Sequence, residues 1–262
     1  MSFKLNNFLR KLAYLFPSNW RRNIKTSLTN SIVKVLNNKI ISYSQAGEDY
    51  NIRNIFREKK NGFYVDVGAF HPLNVSNTSY FYTFENWRGI NIDPNPQSIE
   101  IFNKYRKRDI NLNVGISNSN KELNYYILDY TSSMNTFNRE GLEEEGLLDK
   151  IKEVKKIKVM TLNEVLNNYL PKGQDIDFLN IDTEGMEIEV IQSNDWQRFR
   201  PKLVVIESEL HDLRDVFETR ITKLMQSYKY EPQIVTYLDR KLRNIIYFDS
   251  LRDLYETPKS LI

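Results

Sequence analysis

Apolar residues recur along this chain with two different periods, and the changes between them outline a fold. In the first segment Leu5, Phe8, Leu9, Leu12 and Phe16 recur at three- and four-residue steps, which predicts a helix with one apolar stripe. Pro17 ends that helix and Ser18 can cap a second, whose stripe is Ile24, Leu28, Ile32, Val35 and Leu36. From Ser44 onward short apolar runs at 63–67, 89–93, 110–116, 176–181 and 203–206 alternate with helical stretches such as 96–105 and 215–228. Two further runs, 234–238 and 244–248, are separated too briefly for a crossover helix and predict an antiparallel hairpin. The pattern predicts an α/β fold: a doubly wound, seven-stranded, mostly parallel sheet with helices on both faces, a helical N-terminal extension and a C-terminal antiparallel hairpin. Residues 1–43 form the extension and 44–262 the domain. Residues 118–160 interrupt the rhythm with a short strand at 123–128, a polar Thr-Ser-Ser-Met-Asn-Thr stretch and an acidic helix at 142–148. An insertion of that kind reads as a lid or binding loop.

Charge sharpens the division. The first 47 residues hold eight Lys or Arg and no Asp or Glu, leaving 29 basic against 34 acidic residues in the rest. The basic, apolar-striped segment of residues 1–40 fits peripheral contact with an anionic membrane, or packing on the domain or on a second copy in a homo-oligomer. The slightly acidic remainder argues against nucleic acid as a partner. Cysteine is absent, which removes disulfides and thiolate chemistry. No apolar run of about 18 residues exists and no signal-peptide cleavage pattern follows the N-terminus, so the expected location is cytoplasmic, at most at the inner face of a membrane.

Ligands of doubly wound sheets sit beyond the C-terminal strand ends, where strand order reverses. The first such end carries Asp66-Val67-Gly68-Ala69-Phe70-His71-Pro72, in which Gly68 permits close backbone approach and Asp66 can meet a ligand ammonium. Only one glycine of the nicotinamide fingerprint is present, which argues against a dinucleotide. The second end carries Asp93, placed for the two ribose hydroxyls of a nucleoside or for capping the next helix. The fourth carries Asn180-Ile181-Asp182-Thr183-Glu184-Gly185, with two acids near the crevice, Glu184 being equally a helix cap. Glu207, Glu209 and His211 follow the fifth.

Five segments together resemble the FkbM family of methyltransferases, from about residue 44 to 248: Ser44-Gln45-Ala46-Gly47-Glu48-Asp49, Tyr64-Val65-Asp66-Val67-Gly68-Ala69, Asn91-Ile92-Asp93-Pro94-Asn95-Pro96, residues 178–187, and Pro201-Lys202-Leu203-Val204-Val205-Ile206-Glu207. The resemblance implies a Rossmann-like class I methyltransferase with S-adenosylmethionine as cofactor. It also implies oxygen methylation, commonly on a sugar or natural product, so the expected acceptor is a carbohydrate or other small molecule. Carried over, Asp66, Gly68 and Ala69 line the methionine part, Asp93 with Asn95 holds the ribose, and 113–117, including Gly115, flanks the adenine. Glu48 and Asp182 join this cofactor set. The family's commonest loop reads Asp-Val-Gly-Ala-Asn followed by a further Gly, whereas this chain has Phe70, His71 and Pro72 there.

A sugar hydroxyl must lose its proton as it is methylated, which needs a general base or a metal that lowers the hydroxyl's own pKa. His71, Asp182, Glu184, Glu207 and His211 are the candidates for that proton, with His71 first because an imidazole titrates near neutrality. His71, Asp182, Glu207 and His211 are also the candidate ligands for a divalent metal ion. A nitrogen or nucleic-acid acceptor is the rival enzymatic reading, and a non-catalytic interaction module the rival outside catalysis.

Overall fold

The computed structural model describes residues 41–57, 59–237 and 242–252. The two predicted helices of residues 1–40, and their expected membrane or packing role, lie outside the described residues. Seven strands form the main sheet: β1 (Phe63–Val67), β2 (Arg88–Ile92), β3 (Ile110–Leu112), β7 (Phe178–Ile181), β8 (Leu203–Glu209), β9 (Tyr230–Tyr237) and β10 (Leu242–Asp249). Their order is β3-β2-β1-β7-β8-β10-β9. The first five pair in parallel, and β10 runs antiparallel between β8 and β9. This is the doubly wound, seven-stranded sheet with a C-terminal antiparallel hairpin that the hydrophobic pattern outlines. Strand order reverses between β1 and β7, so the crevice of the fold opens at their C-terminal ends.

Two-residue alternation sends the strands' side chains to two cores. Phe63, Val65, Val67, Ile90, Ile92, Leu179, Ile181, Val204 and Ile206 pack on one face, against α5 (Leu162–Tyr169), α6 (Glu187–Gln192) and α7 (Arg220–Ser227). Tyr64, Phe178, Leu203, Val205 and Ile246 pack on the other, with Ile52 of α1 (Glu48–Phe56), Phe81 of α2 (Ser79–Phe84) and Trp87. Full burial of each large side chain contributes about 1.5–3 kcal/mol, which holds both helix layers to the sheet. Helix α3 (Pro96–Tyr105) follows β2, with Pro96 at its first turn and the Asn95 side chain accepting from the backbone N–H of Gln97.

Three expectations need correction. The third run is not one strand: β3 stays in the main sheet, while β4 (Gly115–Ile116) joins a second sheet. The break falls at Asn113, whose amide donates to the carbonyls of Asp93 and Pro94 at 3.0 and 2.9 Å and turns the chain. The insertion is more ordered than its polar sequence suggests. It forms that second sheet, in the order β4-β6-β5, from β5 (Lys121–Ile127) and β6 (Glu153–Met160). Its acidic helix, α4 (Arg139–Glu144), begins earlier than predicted because the Asn138 side chain caps it at Gly141. The helix expected at 215–228 starts with a 3-10 turn, Leu213–Glu218, and Thr219 caps α7 proper. No helix among the described residues is long and apolar enough to cross a membrane.

Candidate active site

At the C-terminal ends of β1, β2 and β7 lies a cavity of about 600 Å³, within the range of roughly 300–1,000 Å³ typical of small-molecule sites. Its floor is the turn after β1. Gly68 and Ala69 donate their N–H groups to the Ile92 carbonyl at 3.0 and 3.1 Å, which binds the turn to β2. Gly68 has φ +79°, and a Cβ there would collide with the Asp182 carbonyl, so the close approach this glycine permits is to β7. Phe70, also left-handed at φ +52°, donates its N–H to Asp93 Oδ2 at 2.8 Å. The other oxygen of Asp93 accepts from Asn95 N at 2.8 Å. Asp93 is therefore rigidly aimed, and burial raises its pKa to about 6 despite those two donors.

Asp66 is buried beneath the turn. Its carboxylate accepts from Thr78 Oγ1 at 2.8 Å and Asn180 Nδ2 at 2.9 Å, and Asn180 in turn accepts from Asn77 Nδ2 at 2.8 Å. Burial raises its pKa. At the end of β7, Asp182 lines the cavity, and burial first, then the charges of Glu207 and Glu184, hold its carboxyl well above the usual range. Glu184, at φ +53°, is raised to about 7 by burial and by Glu187 and Glu145. No side chain, Glu184 included, caps α6, whose N-cap is Met186; Glu187 instead accepts from the N–H groups of Thr183 and Gly185 and holds the preceding turn. Residues Ser132, Ser133, Met134 and Asn135 of the insertion's polar stretch close the opposite wall with Tyr125 and Phe137.

The cavity thus gathers Asp66, Gly68, Ala69, Asp93, Asn95, Gly115, Asp182, Glu184 and Glu207. Three predicted residues are elsewhere. His71 does not line it; its Nδ1 accepts the backbone N–H groups of Leu73 and Asn74 at 3.1 and 3.0 Å, so the lone pair a base would use is occupied, and burial lowers its pKa. His211 is exposed, 3.4 Å from Glu209. Glu48 is buried under the hairpin, accepting from Thr236 Oγ1 and Asn244 Nδ2, and Gln45 of the same segment reaches the cavity instead. The proposed metal set His71, Asp182, Glu207 and His211 is accordingly not assembled. Among the described residues no group of three or more His, Cys, Asp or Glu could hold a metal ion. Sequence reasoning missed Gln45, Asn77 and Tyr125 as wall residues; Asn180 stood inside a motif without a role.

The model of the methyltransferase FkbM domain matches residues 66–232, more than half of the chain. The chain belongs to the FkbM methyltransferase family. No curated protein matches its sequence. Among solved structures, it is similar to precorrin-6y C5,15-methyltransferase from Geobacter metallireducens, with 12% identity over 77% of this chain and 87% of that one, TM-score 0.41. It is also similar to a 1,6-didemethyltoxoflavin-N1-methyltransferase from Burkholderia thailandensis, with 9% identity over 90% and 91%, TM-score 0.40. A third is fibrillarin from Aeropyrum pernix, with 9% identity over 72% and 67%, TM-score 0.40.

The cofactor of this FkbM methyltransferase is S-adenosylmethionine, and the cavity's donor set fits it. Asp93 would offer a ribose diol a carboxylate fixed by two backbone N–H groups, Ile92, Val114 and Ile116 would flank a flat base, and the described lining carries acids and no cation for a sulfonium and an ammonium to meet. Phe70 stands where the family's commonest loop has Asn, a residue that tolerates φ > 0 at less cost.

Proposed function

We propose that this protein methylates a hydroxyl group of a sugar-class acceptor, with Asp182 as the group that removes the hydroxyl proton. S-adenosylmethionine supplies the electrophilic methyl and its own leaving group, so the chain must orient the acceptor and take up a proton. The observation that carries the reading is Asp182. It lines the cavity at the end of β7, no described side chain or backbone N–H bonds its carboxylate, and burial with the neighbouring acids makes that carboxylate more basic than an ordinary one. Polar wall residues Gln45, Asn77, Ser132 and Ser133 suit a polyhydroxylated ligand. The chain has Ile181-Asp182-Thr183-Glu184 where enzymes that methylate base nitrogens usually carry an Asn-Pro-Pro-Tyr type clamp.

The test uses S-adenosylmethionine labelled in its methyl group, full-length protein and a set of monosaccharide glycosides, with the labelled position read by mass spectrometry and NMR. The label is expected on oxygen. Asp182→Asn is expected to lower kcat by roughly 10²–10⁴-fold with cofactor affinity nearly unchanged. Label on nitrogen or carbon, or an undiminished Asp182→Asn enzyme, contradicts the proposal.

A further inference from the structure

Among the described residues, the cavity wall has one sign of charge. Its described lining carries six carboxylates, Asp66, Asp93, Glu145, Asp182, Glu184 and Glu207, and not one Lys, Arg or His. Asp66 and Asp93 are bonded by the protein itself, Asp182 is the proton acceptor of the reading above, and Glu207 is the charge acting most strongly on Asp182. Glu184 and Glu145 have no such part. They come from separate elements, Glu184 from the turn after β7 and Glu145 from the C-terminal cap of α4 in the insertion. Those elements are fastened together: Thr136 Oγ1 donates to the Glu184 carbonyl at 2.7 Å, and the Asn138 side chain packs against Gly185. Two like charges are thereby held at one end of a ligand cavity, and no hydrogen bond or ion pair from a described residue reaches either carboxylate. Burial first, then repulsion from Glu187 and Glu145, keeps Glu184 up near 7, and Glu187 is already satisfied by the N–H groups of Thr183 and Gly185. A cation between Glu184 and Glu145 would relieve the arrangement.

The position says whose cation. The residues that fit the cofactor lie at the ends of β1, β2 and β4, while Glu145 is exposed and lines the cavity from the insertion, away from those strand ends. An alkylammonium has three N–H donors and can be shared by two carboxylates. Among the described residues, a uronate or phosphate there would meet these acids and no lining cation. We propose that Glu184 and Glu145 select an acceptor bearing a protonated amine beside the methylated hydroxyl, an amino sugar in preference to a neutral or acidic one. The proposal rests on the hydroxyl-methylation reading for the fate of the methyl group only.

The experiment measures binding of four methyl glycosides, those of glucosamine, N-acetylglucosamine, glucose and glucuronic acid, to full-length protein saturated with S-adenosylhomocysteine. The free amine is expected to bind about tenfold tighter than glucose, and the uronate weakest. Glu145→Gln should erase most of that preference while leaving the glucose glycoside unaffected, and Glu184→Gln should erase it as well. Glu145 is exposed, so its variant retains the fold even if the Glu184 variant does not. Equal or absent binding across the four, a uronate at or above the amine, or an intact preference in the Glu145 variant overturns the proposal. Labelled methyl transfer on the same four separates the two ideas. Methyl on the amine nitrogen sinks hydroxyl methylation and leaves charge selection standing, whereas oxygen methylation with no amine preference does the reverse.

Discussion

Gly68 has no room for a side chain, because its φ of +79° directs the Cβ position into the Asp182 carbonyl. Gly68→Ala should therefore cost about 2–5 kcal/mol from left-handed strain and overpacking together, read from urea denaturation. An Ala variant within about 1 kcal/mol of the parent would show that the β1 and β7 ends can separate freely. Asp93 makes a prediction in pH. Its pKa in the free protein is about 6, and a ribose diol donates to the ionised form, so binding draws the proton off. Affinity for S-adenosylhomocysteine should be level above pH 7 and weaken progressively as pH falls through 6. Asp93→Asn should flatten that dependence and weaken binding by about tenfold or more. Calorimetry across the range checks both, and an unchanged pH slope in the variant would assign it to another acid. Asp66, Gly68, Asp93 and Asp182 were legible in the sequence because a strand end in a doubly wound sheet has only one crevice to face. His71 was not: the turn at Leu73 and Asn74 that occupies its lone pair leaves no trace in residue spacing.

Between single residues and the domain stands the insertion, which owes its placement to a few polar bonds. Thr136 forms a bridge with Tyr126 and donates to the Glu184 carbonyl at 2.7 Å. Thr136→Val keeps the shape and strands that carbonyl, a local cost of about 1–3 kcal/mol. The expected outcome is a several-fold higher KM for the acceptor, an unaltered cofactor affinity, and faster proteolysis within residues 128–150. Cofactor affinity falling in step with acceptor binding would show instead that this wall supports both ligands. The sequence announced a binding loop here through its polar Thr-Ser-Ser-Met-Asn-Thr stretch, yet hid strand β6. Only Val159 and Met160 of that strand are buried, so Lys155, Lys156 and Lys158 give it the look of a solvated linker. The split of β3 from β4 was equally invisible, since it depends on Asn113 meeting carbonyls some twenty residues earlier in the chain.

At the scale of the whole molecule, one cation ties the layers together. Arg106 is fully buried and donates to the Pro72 carbonyl at 2.9 and 2.6 Å and to the Tyr64 hydroxyl at 2.8 Å, with Asp109 at 3.6 Å. Asp109 accepts from Gly89 N and Asn91 Nδ2 of β2, so the network spans β1, β2, the end of α3 and the segment behind the cavity. Arg106→Met should destabilise the protein by about 3–5 kcal/mol, because it leaves Asp109 buried without its counter-charge. A denaturation midpoint unchanged from the parent would refute this. The sequence gives no hint of it: in Tyr105-Arg106-Lys107-Arg108-Asp109 nothing local separates the buried arginine from its solvated neighbours, and only tertiary packing does. The second sheet has a comparable reach in the opposite sense. Its strands β4 and β6 lie side by side, Gly115 paired with Val159 and Ile116 with Met160, and Ser117 N bonds the Met160 carbonyl at 2.9 Å. The chain therefore departs and returns through a single doorway, and what lies beyond can lengthen, shorten or be rewritten while the doorway stays shut. Such a segment is built as a cassette: the wall at residues 132–135 could be exchanged while the turns after β1, β2 and β7 that line the rest of the cavity stay as they are.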